Sequence, residues 1–300
     1  MQERNEVEFV LEGQDSSLIS FKHCTKNPGH KDFVKLTDFK VENLPPDYQD
    51  VMIYKMIQYI GLITVKLNVS FTSNNRSNND ETAKLRGTRN IRLGSGFIMS
   101  VCKKEKSLEK KCPCKECLES NNPKEQWAEI LVLTAKHVVF DTEEVKHTKC
   151  ELFYDGVRQI EILYGHKVHK VIDKNDACIF LCAMHNLETW NKIKMLCDMR
   201  DNIHRKLADK YTSKCLKNQL AIIVSHPHGQ PKMVSVGDVI SFKRSLDGDV
   251  QYEYRASTCS GSSGAPVYVL TREWDLNFSE HVHSSSTLKN GINRSSFGPA

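Results

Sequence analysis

The chain has 300 residues, 39% of them hydrophobic, and a formal net charge of +5. That length can bury a sizeable core in one large or two smaller units. Basic residues are mixed with acidic ones, which argues against nucleic acid as a partner, and no stretch reaches the ~20 apolar residues of a membrane helix.

Met1 to Glu6 has no basic start followed by an apolar run. No secretory signal is read there, and a cytoplasmic location is the expectation. Eleven cysteines then read as reduced thiols or metal ligands rather than disulfides. Residues 1–44 carry no usable motif. Pro45-Pro46 opens an expected helix at about 46–60, with Met52, Ile53, Met56, Ile57 and Ile60 on one face. Residues 1–60 therefore read as an N-terminal extension.

From Ile63 to Phe71 the period changes to two, the mark of a strand with one buried face. Further strands are expected over Ile91–Met99, Ile130–Thr134, Leu152–Tyr154, Ile160–Leu163 and Cys178–Cys182. A Lys- and Cys-rich insertion spans 101–126. Residues 186–216 return to three- and four-residue apolar steps, from Trp190 to Leu207, and read as a helical connector. Strands resume at Leu220–Val224 and continue to about Val282. The fold class is all-β: two antiparallel β-barrels, at 61–184 and 219–300, joined by the connector at 185–218.

The stretch Thr258-Cys259-Ser260-Gly261-Ser262-Ser263-Gly264-Ala265-Pro266 has the form G-x-S-G-x-P. A serine hydroxyl becomes a nucleophile only when a base takes its proton and donors await the oxyanion. His137, in Thr134-Ala135-Lys136-His137-Val138-Val139, follows a strand. Asp176, in Asn175-Asp176-Ala177-Cys178-Ile179, precedes one. Taken singly, each fits an ordinary turn or loop. Together with Gly94-Ser95-Gly96-Phe97-Ile98 and in the order His, Asp, Ser, the set resembles the trypsin/chymotrypsin superfamily over roughly residues 61–300. The resemblance implies Ser263 as nucleophile, His137 as general base and Asp176 as its orienting acid. It implies an oxyanion hole from the backbone N–H groups of Gly261 and Ser263. No cofactor is implied for the chemistry, and the expected partner is a protein or peptide substrate.

Two departures bear on activation. Ser262 stands where zymogen-type members hold an aspartate, and no Ile-Val-Gly-Gly start precedes the first barrel. No zymogen switch is therefore expected, which is similar to HtrA-type and viral members. The run from His226-Pro227-His228-Gly229 into Val234-Ser235-Val236-Gly237-Asp238 also looks like an HtrA-type second barrel. Cys259 has no later cysteine to pair with and reads as a reduced buried thiol.

In the resemblance to glutamyl endopeptidases and picornavirus main proteases, a threonine and a histidine read a glutamate or glutamine side chain. Thr258 and His283 lie at similar positions, with His281 as competitor if the strand register shifts. The donors suit a carboxylate or amide oxygen. In the insertion, Cys112-Pro113-Cys114-Lys115-Glu116-Cys117 matches the short reach of a tetrahedral zinc site. Its fourth ligand would be Cys102, Cys150 or His147. The expected function is serine endopeptidase action through an acyl-enzyme, after Glu or Gln. The rivals are a silent pseudo-protease scaffold and a metal-dependent interaction protein built on the cysteine insertion.

Overall fold

The computed structural model describes residues 3–10, 16–103, 111–156, 159–212, 219–270, 281–287 and 291–298. Parts of the cysteine insertion (104–110) and of the connector (213–218) lie outside the described residues.

The chain opens with two short strands, β1 (Glu3–Asn5) and β2 (Glu8–Val10), a helix α1 (Ser16–Lys22), and the short strand β3 (Val34–Lys35). Helix α2 (Val51–Ile63) starts five residues later than the Pro45-Pro46 pair suggests. Pro46–Tyr48 forms only a 3-10 turn, and the Asp50 carboxylate caps α2 by accepting from the Met52 N–H at 2.8 Å. Ile53, Met56, Ile57 and Ile60 of α2 are buried with Leu36, Tyr48, Leu207 and Tyr211. Each such side chain contributes roughly 1.5–3 kcal/mol on burial.

The first barrel follows: β4 (Thr64–Val69), β5 (Ile91–Lys103), helix α3 (Lys115–Leu118), β6 (Ala128–Ala135), helix α4 (Thr142–Lys146), β7 (Thr148–Leu152), β8 (Glu161–Ile172) and β9 (Ala177–Met184). Val65, Leu67 and Val69 of β4 point into the core, as alternation predicts. Strand β5 is long, and its register shifts between Ile98 and Ser100. Its first part pairs with β4 and its second with β6. That bend closes the ring β5-β4-β7-β8-β9-β6.

Helix α5 (Leu187–Thr212) leads to the second sheet: β10 (Leu220–Ser225), β11 (Met233–Arg244), β12 (Val250–Tyr254), β13 (Val267–Leu270), β14 (His283–Thr287) and β15 (Asn293–Ser295). Their order is β14-β15-β12-β11-β10-β13, and a bridge between Pro266 and Val282 brings β13 back to β14. The expected all-β double-barrel architecture is therefore present. What the sequence reading left open is the use of the N-terminus. Strand β1 adds to β14 of the second barrel, and β2 adds to β5 of the first. Residues 3–10 thus bridge the two barrels.

Candidate active site

His137 lies just after β6, Asp176 just before β9, and Ser263 in the turn ahead of β13. Pairing of β6 with β9 sets Ala135 opposite Ala177, which brings His137 to Asp176. The His137 Nδ1 to Asp176 Oδ2 distance is 2.8 Å, and His137 Nε2 lies 2.8 Å from Ser263 Oγ. Asp176 also accepts from the His137 backbone N–H at 3.1 Å and from the Ser284 hydroxyl at 2.5 Å. Burial works against charge on Asp176. His137 and these donors outweigh it and hold the carboxyl below its ordinary range.

The turn that carries Ser263 needs glycine at Gly261 on two counts. Its φ is +90°, and a Cβ there would lie 2.6 Å from the His226 carbonyl oxygen. Within the turn, the Ser262 N–H donates to the Cys259 carbonyl at 2.8 Å, and the Cys259 N–H donates to Ser262 Oγ at 3.1 Å. Ser262 is thus part of the turn's own wiring.

The backbone N–H groups of Gly261 and Ser263 converge on one acceptor, the carbonyl oxygen of Glu6, at 2.7 and 3.4 Å. The Glu6 N–H lies 3.0 Å from Ser263 Oγ. Upstream, Arg4 pairs with Ser286 and Asn5 with Ser285; downstream, Glu8 pairs with Leu93. The N-terminal segment therefore crosses the cleft as an extended strand, with the Glu6 carbonyl at the N–H groups of Gly261 and Ser263.

The Glu6 side chain enters a buried pocket. His283 Nε2 lies 2.7 Å from Glu6 Oε2, the Ser286 hydroxyl donates to Oε1 at 3.0 Å, and Lys26 Nζ pairs with Oε1. His283 Nδ1 lies 2.7 Å from the Tyr254 hydroxyl. These partners place the His283 proton on Nε2, with Nδ1 accepting from Tyr254. Burial pushes the His283 pKa down, so a neutral ring donates to the carboxylate. Burial alone would raise Glu6; His283, Lys26 and their hydrogen bonds hold it well below the ordinary carboxylate range. Lys26 supplies the positive charge.

The register places His283 in the pocket. His281 lies elsewhere, 3.2 Å by Nδ1 from the Ser296 carbonyl and edge-on to Tyr252. Thr258 acts at one remove: its hydroxyl donates to Asn293 Oδ1 at 2.9 Å and accepts from Lys26 Nζ at 2.9 Å. It positions Lys26 rather than binding the carboxylate. Sequence reasoning missed Glu6, Lys26 and Ser286, which are far apart in the chain. The Ser284-Ser285-Ser286 run after His283 was the one local hint.

Behind His137 lies a buried charge network with no sequence signature. Arg76 donates to both Glu144 oxygens, at 2.7 and 2.8 Å, and to the His137 carbonyl at 3.0 Å. Arg92 donates to Glu144 Oε2 at 2.7 Å. This network fixes the backbone that carries the His137 imidazole.

Two clusters of metal-ligating side chains occur among the described residues. In the first, His185 Nε2 lies 3.0 Å from Cys112 Sγ, 3.6 Å from Cys114 Sγ and 3.4 Å from Cys117 Sγ. The fourth member is therefore His185, just past β9, and this corrects the expectation of Cys102, Cys150 or His147. Cys102 is exposed and outside the group. Cys150 Sγ lies 3.7 Å from Cys182 Sγ, and His147 Nδ1 lies 2.8 Å from the Glu143 carbonyl. His185 was missed because β6–β9 pairing, not sequence proximity, carries it to the insertion. One nitrogen and three sulfurs at this spacing fit tetrahedral zinc.

The second cluster is Cys24, His30, His228 and Cys259. Cys24 Sγ lies 3.5 Å from Cys259 Sγ, and Cys259 Sγ lies 3.5 Å from His30 Nε2. Cys259 thus has a sulfur neighbour, but upstream rather than downstream. Among the described residues, no helix is long and apolar enough to cross a membrane.

No protein-family model matches the chain, and no curated protein does. Solved structures similar to it include the HtrA-type protease AlgW with a tripeptide, at 11% identity and TM-score 0.43 over 81% of this chain and 58% of that one. They also include the Rv3671c protease of M. tuberculosis in its active form, at 12% identity and TM-score 0.41 over 83% and 81%. The chain spans less than two thirds of the AlgW chain. At these identities the likeness to HtrA-type trypsin-like serine proteases is one of fold.

Proposed function

We propose that this protein is a serine endopeptidase that cleaves after glutamate. The observation that carries the reading is the seat of Glu6: its carbonyl is on the Gly261 and Ser263 N–H groups while its carboxylate is in the His283–Ser286–Lys26 pocket. Ser263 attacks the substrate carbonyl as His137 takes its proton. Asp176 orients His137 and stabilises the imidazolium, and the two N–H groups hold the oxyanion. His137 then protonates the leaving amine, and water activated through His137 hydrolyses the acyl-enzyme. The expected choice between Glu and Gln falls to Glu, because Lys26 gives a charge-assisted pair that an amide lacks.

A fluorophosphonate probe should label the wild type and not Ser263→Ala. A panel of peptides that differ only in the residue before the cleaved bond should then rank Glu first. Preference for a basic or large apolar residue would sink the specificity. An unlabelled wild type would favour the pseudo-protease. Cys112, Cys114, Cys117 and His185 are proposed to hold a structural zinc ion remote from the chemistry. Protein purified without chelator should carry zinc, and Cys112→Ser/Cys114→Ser should carry about one equivalent less.

A further inference from the structure

We propose that the chain is its own first substrate, cut by Ser263 between Glu6 and Val7. This rests on the endopeptidase reading and extends it to a named bond. The segment is threaded in one direction through both sides of the cleft. Residues before the bond add a strand to β14, and residues after it add a strand to β5. The carbonyl to be attacked already lies on the oxyanion donors, and His137 is hydrogen-bonded to the nucleophile. A tethered segment presents this bond at the high effective concentration of an intramolecular reaction.

In the reaction, Ser263 Oγ bonds to the Glu6 carbonyl carbon and the carbon–nitrogen bond to Val7 breaks. The serine proton passes through His137 to the Val7 amine. Water then releases Glu6 with a free α-carboxylate. The two products are held unequally. Val7 onward stays attached through β2 and the rest of the chain, and this portion includes Lys26. Among the described residues, the fragment that ends at Glu6 keeps β1 and the contacts of Glu6 itself, so its departure leaves the pocket open with its lysine in place. This differs from a zymogen switch: the cut clears a site whose triad is already aligned, and it needs no aspartate at position 262.

Intact mass and N-terminal sequencing of the full chain test the idea, alongside hydrolysis of a Glu peptide. The expected result is a wild type that begins at Val7, while Ser263→Ala keeps the bond whole. Glu6→Leu should slow the cut at least tenfold without lowering peptide turnover after the segment is removed. A wild type that hydrolyses the peptide but keeps the Glu6–Val7 bond overturns this proposal alone. A wild type that cleaves neither overturns the endopeptidase reading as well.

A separate observation carries a second inference: we infer that Cys24, His30, His228 and Cys259 form a second zinc site. The two sulfurs and two nitrogens lie within 4.8 Å of one another. His228 is 5% exposed, and its Nε2 has no hydrogen-bond partner among the described residues. Its other nitrogen, Nδ1, lies 2.9 Å from Glu8 Oε2. A carboxylate behind one ring nitrogen while the other faces thiols is the usual outer shell of a zinc-bound histidine. His30 and His228 also adopt left-handed backbone, with φ of +49° and +50°, a cost that a ligand can hold in place. The Asn27 backbone N–H donates to Cys24 Sγ at 3.4 Å, and the Asn27 side chain donates to Cys259 Sγ at 3.1 Å, as suits thiolates. The ion would staple the N-terminal extension to the nucleophile turn, beside Glu8 of the threaded segment.

Zinc content tests it. The full chain should carry about two equivalents, and Cys24→Ser/His30→Ala about one. Should that variant fail to fold, Cys112→Ser/Cys114→Ser/Cys117→Ser loaded with Co(II) provides the second measurement, since among the described clusters only the Cys24 site then keeps thiolates. Equal zinc in the wild type and the Cys24 variant, no thiolate band, or a Cys24–Cys259 disulfide in mass mapping overturns the site.

Discussion

The proposed triad and the proposed specificity pocket lie side by side but are built in opposite ways. Each residue of the proposed triad lies in a turn next to a strand and is placed by barrel hydrogen bonding: His137 after β6, Asp176 before β9, Ser263 ahead of β13. The pocket gathers Lys26 from the N-terminal extension and His283 and Ser286 from β14, around the seated side chain of Glu6. A triad held by the sheet is rigid by construction. A pocket completed by an added segment can be filled, emptied and retuned while the triad stays as it is. The two Cys/His clusters repeat the contrast. One has three of its members within six residues of an insertion, and the other spans the chain from Cys24 to Cys259.

The most severe way to break the comparison is Ser263→Ala. Peptide hydrolysis should fall by about 10⁴-fold or more. His283→Ala should instead retain turnover and lose selectivity for Glu, a split visible in kcat/KM across the peptide panel. If both variants lose activity equally, pocket and triad are not separable. Next in size is the support behind His137. Glu144→Ala leaves Arg76 and Arg92 buried without their shared carboxylate, and should cost about 3–5 kcal/mol in urea denaturation. An unchanged midpoint would show that the network does not hold the histidine loop.

Lys26→Met tests the pocket alone. Loss of a charge-assisted bond of about 1.5–3 kcal/mol should cut the Glu-over-Gln ratio by roughly 10–100-fold with probe labelling of Ser263 retained. Thr258→Val, one contact further out, should have a smaller effect of the same sign. The mildest test is pH, in the uncut Ser263→Ala chain. Glu6 is held below its ordinary range when seated. Its contribution is therefore fully present above the ordinary glutamate pKa, about 4.3, and fades only as pH falls through the lower seated value. Amide protection of residues 3–10, corrected for intrinsic exchange, should persist down to about pH 4. Loss of protection already at pH 6 would mean that the carboxylate pairing does not anchor the segment.

By itself the sequence determined the double-barrel class, through the alternation of strands such as β4 and the change of period in α2 and α5. It also singled out His137, Asp176 and Ser263, because each sits in a local motif tied to a strand end. The short Cys112-x-Cys-x-x-Cys spacing marked one cluster for the same reason. Tertiary structure alone decided the rest. Lys26, His185 and the Cys24 group show no periodicity, and the partners they meet lie far away in the sequence, so long-range strand pairing and chain crossing bring them together; Ser286 had only the serine run after His283 to mark it. The sequence reading also left residues 1–44 without a role. An extended segment of three-residue strands shows no pattern of its own, and its backbone hydrogen bonds become meaningful only where the edges of β14 and β5 receive them.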